Sequence, residues 1–284
     1  MSERVVVVGA GTMGHGIAQV SALAGYDVAL VDTAPDLLDR ARARIAGNLE
    51  EGVRRGKLDA AQREHALARL RTTTSMEAAA RDALLAVEAV PERMDLKQAV
   101  FAELERHSPA DAILATNTSS LSITKLQRST GRAPRVIGLH FFNPVHINRL
   151  LEVVRGADTS DDTVDAALAF AARIGKDPIL VNDSPGFATS RLGVLLGLEA
   201  IRMVESGVAG AADIDKAMEL GYRHPMGPLR LTDLVGLDVR LDIARYLHAE
   251  LRSEAFRPPA LLERMVAEGR LGRKTGTGFY EWTE

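Results

Sequence analysis

Apolar and polar positions fall into two regimes along the first two thirds of the chain. Short, almost wholly apolar runs recur: Arg4 to Val8, DVALVD ending at Asp32, DALLAVEAVPE from Asp82 to Glu92, ADAILATNTSS, VIGLHFF, LLEVV and IGKDPILVND. Each has the length of a strand; VIGLHFF reads as buried, and IGKDPILVND as the final edge strand of the first domain. Between them, HGIAQVSALAG, MDLKQAVFAELERH and AALAFAARIG return apolar residues at helical spacing. The charged stretch from Ala34 to Leu70 does the same, with a break at Gly56 that makes it a helical hairpin. The order β-α-β-α(α)-β-α-β predicts a doubly wound, mostly parallel sheet. After Asp183-Ser184-Pro185-Gly186 the pattern turns helical: FATSRLGVLLGLEAIRMVESG, AADIDKAMELG and RLTDLVGLDVRLDIARYLHAEL. We therefore expect an α/β domain over 1–183 and a smaller all-α domain over 184–284. The stripe Leu192, Leu195, Leu196, Leu198, Ile201 and Met203 covers more than one helix face, which predicts a helix buried on several sides within its own chain. Phe279, Tyr280 and Trp282 predict that the glycine-rich, basic end packs back.

Two residues break the apolar pattern. VIGLHFFNPVHINRLLEVV, Val136 to Val154, sets His140 in one strand and Glu152 in the next, joined by a turn at Asn143-Pro144. A buried carboxylate is costly unless paired, and one beside an imidazole would hold one ring nitrogen protonated and make the other more basic. The stretch admits two readings, an acid/base pair or a satisfied core histidine beside an unrelated ion pair.

The first strand runs into GAGTMG, Gly9 to Gly14. Gly9 allows the tight turn, Gly11 the close approach of a pyrophosphate, and Gly14 the contact of helix with strand. Thr12 and Met13 lie in the same phosphate-facing turn. Asp32, eighteen positions after Gly14, is placed to accept the adenosine ribose hydroxyls, and the absence of Arg immediately after it favours NAD over NADP. The polar run Thr116 to Ser120 ends another strand, where ligands of such sheets collect.

Composition narrows the function classes. A formal net charge of −3 supplies no field for a nucleic-acid backbone or an anionic membrane, so neither is an expected partner. The chain has no cysteine, which excludes disulfides, thiolate metal sites and a thiol nucleophile. No strong metal-binding spacing occurs among its scattered histidines, so no metal is expected. The N-terminal 25 residues superficially resemble a signal peptide, but Gly, His and Gln interrupt the apolar run, and no segment reaches the ~20 apolar residues that span a bilayer. A soluble, cytoplasmic protein is expected. The basic cluster Arg54, Arg55 and Lys57 reads as a solvated helix end or a contact for a phosphorylated tail.

GAGTMG, Asp32, Pro91-Glu92, NTSSLSI, GLHFFNP, LLEVV, DSPGF and GRKTGTGFY together resemble the 3-hydroxyacyl-CoA dehydrogenase family, from the first strand to the last residues. The resemblance implies a Rossmann-type NAD-binding domain, an acyl-CoA substrate, and a helical domain that shares the substrate cleft and forms a homodimer. It also implies roles for residues. His140 is the general base, Glu152 orients its ring, Ser119 bonds the reacting oxygen, and Asn117 sits between nicotinamide and substrate. Asn143 fixes the turn; Glu92, Lys97 and Lys274 contact the cofactor side; Asn48 and Arg55 fall near the CoA tail. Ser190 stands where the family usually has asparagine, and the VHIN loop with His146 and Asn148 is more polar than usual. These departures touch substrate choice. A dehydrogenase of a non-CoA 3-hydroxy acid, such as a sugar acid or carnitine-like compound, is the competing enzyme reading. A non-catalytic NAD-binding protein is the competing class.

Overall fold

The computed structural model describes residues 3–283, and the chain divides into two compact units, Met1–Ser184 and Pro185–Glu284. In the first unit, strands β1 (Arg4–Val8), β2 (Asp27–Val31), β3 (Leu70–Thr73), β4 (Ala83–Glu88), β5 (Ile113–Thr116), β6 (Val136–Phe141), β7 (Leu150–Arg155) and β8 (Asp177–Asn182) form one sheet in the order β3-β2-β1-β4-β5-β6-β7-β8. The pairs from β3 across to β6 are parallel. Between β6 and β7 the sheet turns antiparallel, and β7–β8 is parallel again. Helices α1 (Gly14–Leu23), α2 (Pro35–Arg54), α3 (Ala60–Arg69), α4 (Met76–Ala80), α5 (Met94–His107), α6 (Ile123–Gln127) and α7 (Asp161–Arg173) make the connections. The central strands are buried on both faces, as their unbroken apolar runs require. One core collects Val5, Val7, Ile17, Leu30, Leu85, Leu139 and Phe170 among others.

The helical hairpin forms as expected. The chain leaves α2 after Arg54, and Asp59 opens α3 with a capping box, its carboxylate accepting from the Gln62 amide and the Gln62 side chain accepting from the Asp59 amide. Elements not anticipated include β3 and α4. Strand β3 is four residues of LRTT, too short and polar to stand out, and it exists because β2 offers a parallel partner. The short α4 is started by the Ser75 hydroxyl, which accepts from the Ala78 amide.

The second unit is helical: α8 (Thr189–Glu205), α9 (Ala211–Gly221), α10 (Pro228–Val235), α11 (Leu237–Leu251) and α12 (Ala260–Ala267). Leu198, Ile201, Leu229, Leu241, Leu247 and Leu262 form its core. Of the stripe expected to bury α8 on several sides, Leu198 and Ile201 are buried, but Leu192 and Leu196 are 62% and 43% exposed. The closing residues do pack back. Buried Asp233 accepts from the amides of Phe279 and Tyr280 and from the Trp282 indole, and Asp215 accepts from the Tyr280 hydroxyl.

Candidate active site

The glycine turn is shaped by contacts that leave no room for side chains. Gly9 has φ +104°, and a Cβ at Gly14 would lie 1.7 Å from the Gly9 carbonyl oxygen. At Gly11 a Cβ would meet nothing within 4 Å, so this backbone faces open space. Helix α1 begins at once, with Met13 as an N-cap that supplies no side-chain hydrogen bond and with no acid in the first turn. Its first amides are thus directed to an outside anion. The Asp32 carboxylate accepts from the amides of Ala10 and Ala34, which ties the end of β2 to the glycine turn. A cavity of about 690 Å³ opens here, lined by Gly9, Gly11, Thr12, Asp32, Val90 and Leu96 among others. Open glycine backbone, uncapped helix end, carboxylate and a largely apolar cavity fit a dinucleotide.

At the next strand ends Lys97, expected on the cofactor side, stands in an ion network. Its side chain is 1% exposed, and its ammonium lies 2.8 Å from Glu88 Oε1, 3.0 Å from Glu88 Oε2 and 3.3 Å from Glu92 Oε2. Thr116 also donates to Glu88, at 2.7 Å. Glu92 is half-exposed, and its carboxylate accepts from the Thr118 hydroxyl and from the amides of Ser119 and Ser120. Lys97 thus serves as an internal counter-ion tying α5 to the end of β4, Thr116 links Glu88 to β5, and Glu92 fixes the backbone of the Asn117 to Ser120 run. Glu88 was read only as part of a strand. Its signal, an acid inside an apolar run, is the one that marked Glu152.

His140 and Glu152 are directly opposite in the antiparallel β6–β7 pair, so both side chains leave the same face of the sheet. The imidazole Nδ1 lies 2.6 Å from Glu152 Oε2, with both groups buried. The Phe142 ring packs 4.5 Å from the imidazole centroid. Asn117, at the end of β5, accepts from the Phe141 amide through its side-chain oxygen at 2.9 Å. That bond fixes the strand end that carries His140 and turns the amide nitrogen of Asn117 away from Phe141. Ser119 is partly exposed, and its hydroxyl makes no hydrogen bond among the described residues. Such a constellation can accept a proton at a histidine while polar groups hold the atom it came from.

The loop between the two strands is exposed at Asn143, His146 and Asn148. The Asn143-Pro144 bond is cis, and the Asn143 carbonyl accepts from the Asn148 side chain. Buried Lys176, not singled out in the sequence, reaches under this loop and donates to the carbonyls of Val145 and Asn148. Asn48 donates to the Gln19 side chain at 2.9 Å. Arg54, at the end of α2, and Arg55, just after it, both bind Glu51. In the second unit, Ser190 lies in the first turn of α8, and the Lys274 ammonium is held by the Asp238 carboxylate at 2.6 and 2.5 Å. Among the described residues no group of three or more His, Asp or Glu is arranged for a metal ion, and no helix is long and apolar enough to cross a membrane.

Comparison with known proteins covers both units. A model described as "3-hydroxyacyl-CoA dehydrogenase, NAD binding domain" matches residues 4–184, and one described as "3-hydroxyacyl-CoA dehydrogenase, C-terminal domain" matches residues 186–282. The chain is 45% identical to a 3-hydroxybutyryl-CoA dehydrogenase of Mycobacterium tuberculosis, covering 99% of this chain and 98% of that one. It is 44% identical to a probable 3-hydroxybutyryl-CoA dehydrogenase of Deinococcus radiodurans, over 97% and 99%. The crystal structure of (S)-3-hydroxybutyryl-CoA dehydrogenase from Ralstonia eutropha superposes with a TM-score of 0.96 at 40% identity, covering 100% of each chain.

Proposed function

The chain belongs to the 3-hydroxyacyl-CoA dehydrogenase family, whose members are NAD-dependent oxidoreductases, and on that premise we propose that it interconverts short-chain L-3-hydroxyacyl-CoA and 3-ketoacyl-CoA, with His140 as general base and acid. The observation that carries this reading is the buried His140–Glu152 pair, 2.6 Å apart across two strands.

NAD supplies the hydride acceptor. His140 takes the hydroxyl proton at Nε2, because Glu152 holds Nδ1 in its protonated form and stabilises the imidazolium that results. Ser119 donates to the reacting oxygen. Asn117 keeps β6 in place through the Phe141 amide and offers its own amide nitrogen to the site. Asp32 takes the adenosine ribose; Gly9, Gly11, Thr12, Met13 and Gly14 take the pyrophosphate, while Glu92 stiffens the loop that presents Ser119. Lys274 is assigned to the cofactor and Ser190 to the acyl group. Asn143 holds the turn beside the base, and Asn48 and Arg55 meet the CoA tail. In the keto-to-hydroxy direction the imidazolium returns the proton. The chain acts as a cytoplasmic homodimer joined through its helical unit.

The test is NADH oxidation at neutral pH with acetoacetyl-CoA, longer 3-ketoacyl-CoAs and free 3-keto acids. Turnover of the CoA thioesters, with kcat lowered about 10²–10⁴-fold in His140→Ala, is expected. Turnover of free acids alone would move the substrate to a non-CoA 3-hydroxy acid. Near wild-type activity in His140→Ala would remove the base, and inactivity on every substrate despite NADH binding would leave a non-catalytic protein.

A further inference from the structure

The two phenylalanines that follow His140 face different surroundings. Strand alternation carries Phe141 to the opposite face of the sheet and brings Phe142 back to the side of His140. Phe141 is 2% exposed and belongs to the core of the first unit. Phe142, just past the end of β6, is partly buried, and its ring centroid lies 4.5 Å from that of the imidazole, with the two planes inclined at 50°. The imidazole is thus held at Nδ1 by the Glu152 carboxylate and flanked by an aromatic ring.

An aromatic ring carries negative charge density on its faces, and a cation within about 6 Å of its centre is attracted to it. A neutral imidazole gains little from that field, whereas an imidazolium gains much more. His140 and Glu152 are 5% and 0% exposed, so little water screens the interaction. An aliphatic side chain of similar size would cover the imidazole equally well but supply none of this attraction.

We propose that Phe142 is a positioning residue that acts through His140, stabilising its imidazolium form. This rests on the reading of His140 as the base and deepens it by adding a second group, besides Glu152, that favours the charged ring. In the step concerned the hydroxyl O–H and the carbinol C–H bonds break and the C=O bond forms; the proton goes to Nε2 and the hydride to NAD. The two sides of that step differ by one positive charge on the imidazole. Whatever stabilises the charge therefore raises the ratio of the oxidation rate to the reduction rate on the enzyme. A side chain that only kept the imidazole in place would change both rates alike and leave the ratio untouched.

Stopped-flow single turnovers on the full chain test it, with NAD and L-3-hydroxybutyryl-CoA in one direction and NADH and acetoacetyl-CoA in the other. In Phe142→Leu, which keeps an apolar cover, the ratio of oxidation to reduction rates is expected to fall about tenfold, the scale of a desolvated cation beside a ring. Phe142→Tyr keeps the ring and is expected to keep the ratio. Replacing Phe142 with mono-, di- and trifluorophenylalanine, which weakens the ring face stepwise at nearly constant shape, should lower the ratio progressively. Circular dichroism and NADH titration establish that each variant folds and binds cofactor. Two rates that fall together at constant ratio, or a fluorination series without a downward trend, would overturn the role of Phe142 and leave His140 as the base. Near wild-type rates in His140→Ala would overturn the base reading and this one together.

Discussion

Exchanging Glu152 for Gln keeps the shape that fills its place between Leu151 and Val153 but removes the charge facing His140 Nδ1. The variant is expected to fold and bind NADH normally while kcat falls about 10²-fold or more, since a neutral amide no longer fixes the tautomer or stabilises the imidazolium. Steady-state kinetics beside NADH fluorescence titration separates the two effects. His146 offers a different single-residue test. Burial first, and then the charges of His15, Lys176 and Lys57, hold its pKa below the ordinary 6.5. The unfolded chain therefore takes up this proton before the folded chain does as pH falls. Stability attributable to His146 is present above about pH 6.5 and is lost on acidification through and below that value. His146→Gln should flatten that part of the profile, read as urea midpoints at pH 7.5 and 5.5; an unchanged slope would remove His146 from the account.

At the scale of elements, the last residues act as a latch on α10. Asp215 accepts from the Leu229 and Arg230 amides at the start of that helix and from the Tyr280 hydroxyl, while Asp233 holds the Phe279 and Tyr280 amides. Tyr280→Phe keeps the ring and deletes one hydrogen bond to a carboxylate, an expected loss of about 1.5–3 kcal/mol in urea unfolding. Burial first, then Asp215, raises the Tyr280 pKa. The wild type should therefore lose stability as pH climbs above about 10, where the unfolded phenol ionises first, and the Phe variant should lack that loss. This latch was legible only as an expectation that aromatic residues pack back, because a lone Asp in helical sequence gives no sign of its partners. The strands were legible wherever they were apolar runs. Strand β3 was not, since four residues of LRTT carry no pattern without the neighbour that pairs with them.

For the whole molecule, parallel strands alternating with helical spacing were enough to place the nucleotide turn, Asp32 and the Asn117 to Ser120 run at one end of a sheet. Long-range charge pairing was not deducible in the same way. The enclosure of Lys97 with Glu88 and the burial of Lys176 and Arg240 gave no sign in the sequence, because helix and strand periods report faces and not partners. Binding to the native chain alone should stabilise it by mass action: NADH at a hundred times its dissociation constant is expected to add about 2.7 kcal/mol. Calorimetry with and without NADH checks this, and no shift at high NADH would mean that the native chain does not bind it.

The reversal of direction between β6 and β7 has a consequence for how this protein can change. Because the base and its carboxylate face each other across an antiparallel pair, their meeting depends on strand register and not on the number of residues between them. Insertions or deletions confined to the exposed turn from Asn143 to Asn148 leave both side chains on the same face. A single residue gained or lost inside β7 would instead turn Glu152 toward the side where Leu151 and Val153 are buried. The molecule can therefore remodel the length and polarity of what lies beside its histidine while the proton-handling pair stays intact, so the turn is the segment on which new substrate preferences can be tried at little risk to the chemistry.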